Sequence, residues 1–139
     1  MSLKFSNTTS DFIEWNQSMN LIRNLYRDGD YRISLLISFG SFWGLRISDI
    51  LSLQWHQVYE MDEFELVERK TQKRRVIKIN GQLKKHITDC YHKVKPNSIE
   101  EDIFISRKGS VYSVQRINVI LKELKIRYNL KIKNFSSHS

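Results

Sequence analysis

From residue 12 to residue 43 the apolar positions recur at helical spacing. Asp11 and Glu14 have the spacing of a capping box, and Phe12, Trp15, Met19, Ile22 and Tyr26 follow on one stripe. Asp28-Gly29 ends that helix. Asp30 is placed to cap a second helix, with Ile33, Leu36, Ile37 and Gly40 as its buried positions and Trp43-Gly44 as its end. A third, short helix is predicted from Arg46 to about Leu53. Its buried face holds Ile47, Ile50 and Leu51, with Trp55 beyond.

The period then changes. Phe64 to Lys70 and Arg75 to Ile79 alternate as strands around Thr71-Gln72-Lys73-Arg74, which predicts a hairpin with a polar, basic tip. Val58 to Met61 is predicted as a third strand. Helical spacing returns with Leu83, Ile87, Cys90, Tyr91 and Val94 and stops before Pro96. Ile103 to Ser106 reads as short and extended. Ser113 then caps a helix with the stripe Val114, Ile117, Leu121, Leu124 and Tyr128. No repeat, low-complexity tract or linker divides the chain. The order predicts an α+β fold, mainly α, with helices around a small antiparallel β-hairpin sheet.

Composition adds little to that picture, but charge adds a partner. With 139 residues, 40% apolar and 12% aromatic, and a single proline, the chain is a globular domain or part of one. The lone Cys90 excludes an internal disulfide and fits a reducing compartment. The most apolar stretch, Ile33 to Leu45, is too short to span a bilayer, and no signal-peptide core is present; residues 1–10 read as an N-terminal tail or a cloning remnant. The net charge of +8 is unevenly spread. Residues 1–68 carry 5 Lys or Arg against 10 Asp or Glu, a balance of −5, whereas residues 69–139 carry 18 against 5, a balance of +13. A split of that kind places a polyanion against one face, and nucleic acid fits better than a membrane because no apolar anchor accompanies the charge.

The chemistry concentrates at residues 44–55, Gly-Leu-Arg-Ile-Ser-Asp-Ile-Leu-Ser-Leu-Gln-Trp. Arg46 opens the third helix directly after an apolar run, and Asp49, three residues on, falls on the same side, so a guanidinium with a carboxylate beside it suits an anion clamp. On spacing alone, a surface arginine or an ordinary ion pair explains the same residues. The stretch resembles the first arginine box of the tyrosine recombinases, the phage integrase family, which runs Gly-Leu-Arg-x-Ser-Glu-x-x-x-Leu-x-Trp; Asp49 stands in place of the usual glutamate.

That resemblance implies the N-terminal two-thirds of a recombinase catalytic domain over residues 11–139, without the family's core-binding domain. It implies DNA strand cleavage and rejoining in a full-length parent, through a 3′-phosphotyrosine and without metal or small-molecule cofactor. Arg46 matches the arginine that grips the phosphate, and Asp49 the acid that braces it. Lys70, in Glu-Arg-Lys-Thr-Gln-Lys-Arg-Arg, matches the hairpin lysine that protonates the leaving 5′ oxygen, with Lys73 as runner-up and Lys73, Arg74 and Arg75 as DNA contacts. His138 in Phe-Ser-Ser-His-Ser resembles the start of the His-x-x-Arg box, whose arginine would lie beyond Ser139. The nucleophilic tyrosine follows that box in the family, so none of Tyr26, Tyr31, Tyr59, Tyr91, Tyr112 and Tyr128 stands in its place; Tyr26, Tyr91 and Tyr128 lie on apolar stripes and read as core. The implied partners are double-stranded DNA and further recombinase protomers, in the cytoplasm and on the nucleoid, in site-specific recombination such as the integration of a mobile element. The chain by itself is expected to bind DNA without turnover.

One rival class competes, a non-catalytic module that is either a basic DNA-binding regulator or a protein-interaction domain. A regulator would present one exposed recognition helix, whereas a recombinase half converges Arg46 and Lys70 on one phosphate. His86, Cys90 and His92 lie close in sequence but lack the spacing of a zinc site, so no metal is expected.

Overall fold

In the computed structural model, residues 13–132 and 135 are described. The first helix, α1 (Trp15–Arg27), buries Ser18, Leu21, Ile22 and Leu25. Its stripe is therefore rotated from the predicted one. Trp15, Met19 and Tyr26 are only half-buried, because the edge carrying Leu21, Ile22 and Leu25 turns toward α2 (Tyr31–Trp43). Asp11 and Phe12 lie outside the described residues, and Glu14 makes no side-chain capping bond.

Helix α2 is the centre of the fold. Every residue from 33 to 41 is buried, not one stripe alone, which is the signature of a helix covered on all sides. Two of its three buried serines return their hydroxyls to the backbone: Ser34 Oγ donates to the Ile22 carbonyl at 2.9 Å, and Ser38 Oγ to the Ser34 carbonyl at 2.8 Å. Gly44 ends the helix in the left-handed region (φ 63°), its N–H returning to the Gly40 carbonyl at 3.0 Å. A Cβ there meets nothing within 4 Å. Gly44→Ala is therefore expected to cost only the backbone strain, about 1–2 kcal/mol in urea unfolding; a neutral result would show that the turn relaxes.

Two short helices follow, α3 (Ile47–Leu51) and α4 (Trp55–Val58). Ile47, Ile50, Leu51 and Trp55 are all buried, as the spacing predicts. Val58 to Met61 is not a strand. The reciprocal capping box of Gln54 and Gln57 starts α4 there, and Glu60 at φ 58° turns the chain before it can pair.

The sheet has two strands, β1 (Glu63–Val67) and β2 (Arg74–Lys78), paired antiparallel from Glu63↔Lys78 to Val67↔Arg74. Phe64, Leu66 and Ile77 face inward. Both strands are displaced from the predicted bounds, so Lys70 lies in the tip and not on a strand. Helix α5 (Gly81–Val94) starts at Asn80, whose Oδ1 accepts from the Leu83 N–H at 2.8 Å, and ends with Lys95 in the left-handed region just before Pro96. Between α5 and the last helix, the expected extended segment forms only single bridges, Gln54↔Asp102 and Ile105↔Val111. Helix α6 (Val114–Arg127) is capped by Ser113, which accepts from the Arg116 N–H, and buries Ile117, Leu121 and Leu124. Its end is tied to the α1–α2 turn: Tyr128 donates its hydroxyl to Asp28 at 2.5 Å, and Arg127 pairs with Asp30 at 3.0 Å.

Candidate nucleic-acid interface

Arg46 sits at the junction of α2 and α3. It is the N-cap residue of α3, extended at φ −66° and ψ 147°, and its carbonyl accepts from Asp49 and Ile50 at 3.0 Å each. Leu45 and Ile47 on either side are buried, so the backbone is fixed from both flanks while the guanidinium is exposed. Asp49 departs from the expected arrangement. It is 1% exposed and on the inward side, and it makes no ion pair with Arg46. Its Oδ1 accepts instead from the backbone N–H of Arg69 at 3.1 Å. A buried carboxylate must find a donor, and the hairpin tip provides one. The Arg46 turn and the residue preceding Lys70 are thus joined by one hydrogen bond.

The tip, residues 68–73, is closed by its own hydrogen bonds. The Glu68 N–H donates to the Lys73 carbonyl at 2.9 Å and the Gln72 N–H to the Glu68 carbonyl at 2.8 Å, with Gln72 at φ 59°. Thr71 donates its hydroxyl to Glu68 Oε1 at 2.9 Å, and Gln72 Nε2 donates to the Arg69 carbonyl. These bonds stop the strands at Val67 and Arg74, which is why Lys70 leaves the sheet. The Thr71 hydroxyl, then Arg75 and Arg46, hold the Glu68 carboxyl below its ordinary range against the opposing effect of desolvation.

The cations of the hairpin differ in their commitments. Arg74 pairs with Glu65 across the strands at 2.5 Å, Arg75 with Glu68 at 3.3 Å, and Lys78 with Glu63. Lys70 and Lys73 are exposed and make no ion pair among the described residues. His138 lies outside the described residues.

Trp43 has a role that its place at a helix end did not suggest. Its ring stacks on Phe39 at 4.4 Å and tilts against Phe64 of β1 at 5.0 Å, while its indole N–H donates to the Lys78 carbonyl of β2 at 3.2 Å. It fastens the base of the hairpin to α2, as Asp49 fastens the tip to α3. An aromatic one residue before the glycine, i+4 from Phe39, was the available signal. A second basic surface also went unassigned. Arg107, Lys108, Arg116 and Arg127, with Asp30 and Glu123, line a concavity of about 640 Å³ beside α6. Ser113 as a cap places Arg116 on the first turn of α6, which was legible.

The remaining chemistry is structural. His86 Nε2 lies 2.8 Å from Ser34 Oγ, and burial lowers its pKa; Cys90 is buried and its thiol is pushed up to about 12 by the same cause. His92 is exposed, edge-on to Tyr59 and Tyr91. Among the described residues no group of three or more His, Cys, Asp or Glu converges as a metal site. Tyr59 stacks on Tyr91 at 3.9 Å, Tyr26 meets Tyr31 edge-on at 5.2 Å and Tyr128 is bonded to Asp28. No helix among the described residues is long and apolar enough to cross a membrane.

A mainly helical unit with one antiparallel hairpin docked beside a buried-flanked arginine is the fold of a tyrosine recombinase. The crystal structure of XerA recombinase superposes with a TM-score of 0.71 at 14% identity, over 89% of this chain and 45% of that one, so the chain spans less than half of that protein's length. The model of the Phage integrase family matches residues 11–139, and the chain belongs to that family. No curated protein matches it in sequence.

Proposed function

We propose that this chain supplies the phosphate-holding part of a DNA strand-transfer domain and binds duplex DNA on the face where Arg46 meets the hairpin tip. The observation that carries this reading is the Asp49–Arg69 hydrogen bond, which couples the Arg46 turn to the residue before Lys70. Arg46 offers two N–H groups in a plane to the non-bridging oxygens of one phosphodiester, where negative charge builds as phosphorus is attacked. Lys70 is the general acid for the leaving 5′ oxygen, and its loop position lets the ammonium approach that oxygen once DNA is bound. Lys73 contacts a neighbouring phosphate. Asp49 is a positioning residue and does not touch the substrate. None of the chain's own tyrosines is assigned as nucleophile.

Labelled duplex DNA titrated at two ionic strengths tests this. Three phosphate contacts predict a fall in affinity of roughly 40-fold between about 50 and 200 mM salt, with little sequence preference. Arg46→Ala and Lys70→Ala should each weaken binding by about tenfold or more, the scale of a charge-assisted hydrogen bond. A polypeptide of these 139 residues should form no covalent adduct with a nicked or suicide duplex. Salt-insensitive binding would point instead to a protein-interaction module, and an adduct would assign the nucleophile to a tyrosine in this chain.

A further inference from the structure

One carboxylate lies in the hairpin tip that carries Lys70 and Lys73. Glu68 is half-buried, its side chain only 18% exposed, although it stands in a surface hairpin. Its Oε1 accepts from Thr71 and its Oε2 from Arg75, and the residue after it is held by Asp49, one helical turn from Arg46. The other hairpin acids are different. Glu63 and Glu65 sit on the strands, are more than half exposed, and pair with Lys78 and Arg74 in solvent. Glu68 alone combines partial burial, a hydroxyl donor and a place at the tip.

We infer that Glu68 is an internal counter-anion of the phosphate-binding face: in the absence of DNA its carboxylate pairs with Arg75 at the hairpin tip, and a phosphodiester must compete with it for that guanidinium. The inference rests on the phosphate-site reading and deepens it. The carboxylate and the phosphate are both acceptor-only anions seeking the same N–H groups, and a fixed negative charge beside a bound phosphate repels it. Glu68 therefore stabilises the empty site and weakens the filled one. It makes the cluster selective for an anion that offers more than one oxygen or more than one charge, as a duplex backbone does. Its charge is held by the Thr71 hydroxyl and by Arg75, so it opposes DNA throughout the neutral range.

The test is affinity for a labelled duplex at about 50 mM salt. Glu68→Gln removes the charge and keeps an acceptor for Thr71. It is expected to tighten binding by about fivefold, the scale of relieving a like-charge contact. Glu60→Gln makes the same change in net charge near the base of the hairpin, where Glu60 is exposed, and should tighten binding by less than about twofold. In an Arg75→Ala background, where no paired guanidinium is left to release, the gain from Glu68→Gln should fall below about twofold. Glu68→Asp, which keeps the charge on a shorter arm, should bind like the parent chain.

A Glu68→Gln chain that binds no more tightly than Glu60→Gln overturns the inference. So does a gain that survives undiminished in Arg75→Ala, or a gain of equal size from Glu68→Asp, which would reflect tip geometry and not charge. Failure of the underlying reading looks different. The parent chain would then bind no duplex at low salt, or neither Arg46→Ala nor Lys70→Ala would weaken it.

Discussion

Replacing Lys73, Arg74 and Arg75 together by glutamate is expected to lower affinity for duplex DNA by at least about 100-fold at low salt, and to flatten the salt dependence by one or two phosphate contacts. The three residues are not equal contributors. Arg74 and Arg75 are already engaged by Glu65 and Glu68, so a phosphate gains from them only what it takes from a carboxylate. Lys73 makes no such pair among the described residues and should dominate. Singly, Lys73→Ala should cost about tenfold, and Arg74→Ala less than about threefold. Reversing Glu63 and Glu65 to lysine should strengthen binding, since it both adds charge and releases Lys78 and Arg74. Anisotropy titrations of the single and triple variants decide between these. If Arg74→Ala costs as much as Lys73→Ala, the cross-strand pair dissolves on binding and Arg74 is a direct contact.

Phe39→Ala should be the most damaging single substitution outside the charged surface. Phe39 is fully buried on the central helix, stacked on Trp43 and edge-on to Phe104 at 5.9 Å. Truncation leaves a cavity in the core of the fold, at a cost of about 3–5 kcal/mol. Domains of this size have about 5–15 kcal/mol in total, so the variant should be close to its unfolding transition at 37 °C. Its effect should also reach the hairpin, because the ring that Phe39 supports is the one that holds Lys78 and Phe64. Trp43→Phe separates the two contributions. It keeps an aromatic ring in the stack while removing the indole donor and part of the ring area, so it should cost about 1–2 kcal/mol, less than Phe39→Ala. Urea midpoints at unchanged slope measure both. A loss below about 1 kcal/mol for Phe39→Ala would mean that the Phe39–Trp43–Phe64 stack is not what joins the sheet to the helices.

On the proposed reading of Lys70 as general acid, the fastenings of the hairpin set its placement. Trp43 holds the base and Asp49 the tip, so the position of Lys70 is set from two ends of a short lever. General-acid chemistry tolerates little displacement, since the donor must come within hydrogen-bond reach of the leaving oxygen. The α2–α3 corner is the common anchor of both fastenings, and Gly44 is what lets the backbone turn there.

What the sequence determined by itself was local. Helical spacing located α1, α2, α5 and α6, because the period of an amphipathic helix is written in consecutive residues. Ser113 shows its cap, and Pro96 the end of α5, for equally local reasons. The Gly-Leu-Arg box located Arg46, and its family, from residue identities in register. Tertiary structure decided the rest. Which edge of α1 is buried depended on α2 being covered on every side, which no stripe on α2 could reveal. The strand ends depended on the closed tip, where Thr71, Gln72 and Glu68 satisfy one another and leave Lys70 outside the sheet. Asp49 was legible as an important acid, but its partner was not: spacing offered Arg46, and the fold supplied the Arg69 amide, because a buried carboxylate bonds to whichever donor the packing brings within reach and not to the nearest charge in sequence. For the same reason Glu68 and Trp43 read as an ordinary strand acid and a helix end until the hairpin was folded back against α2 and α3.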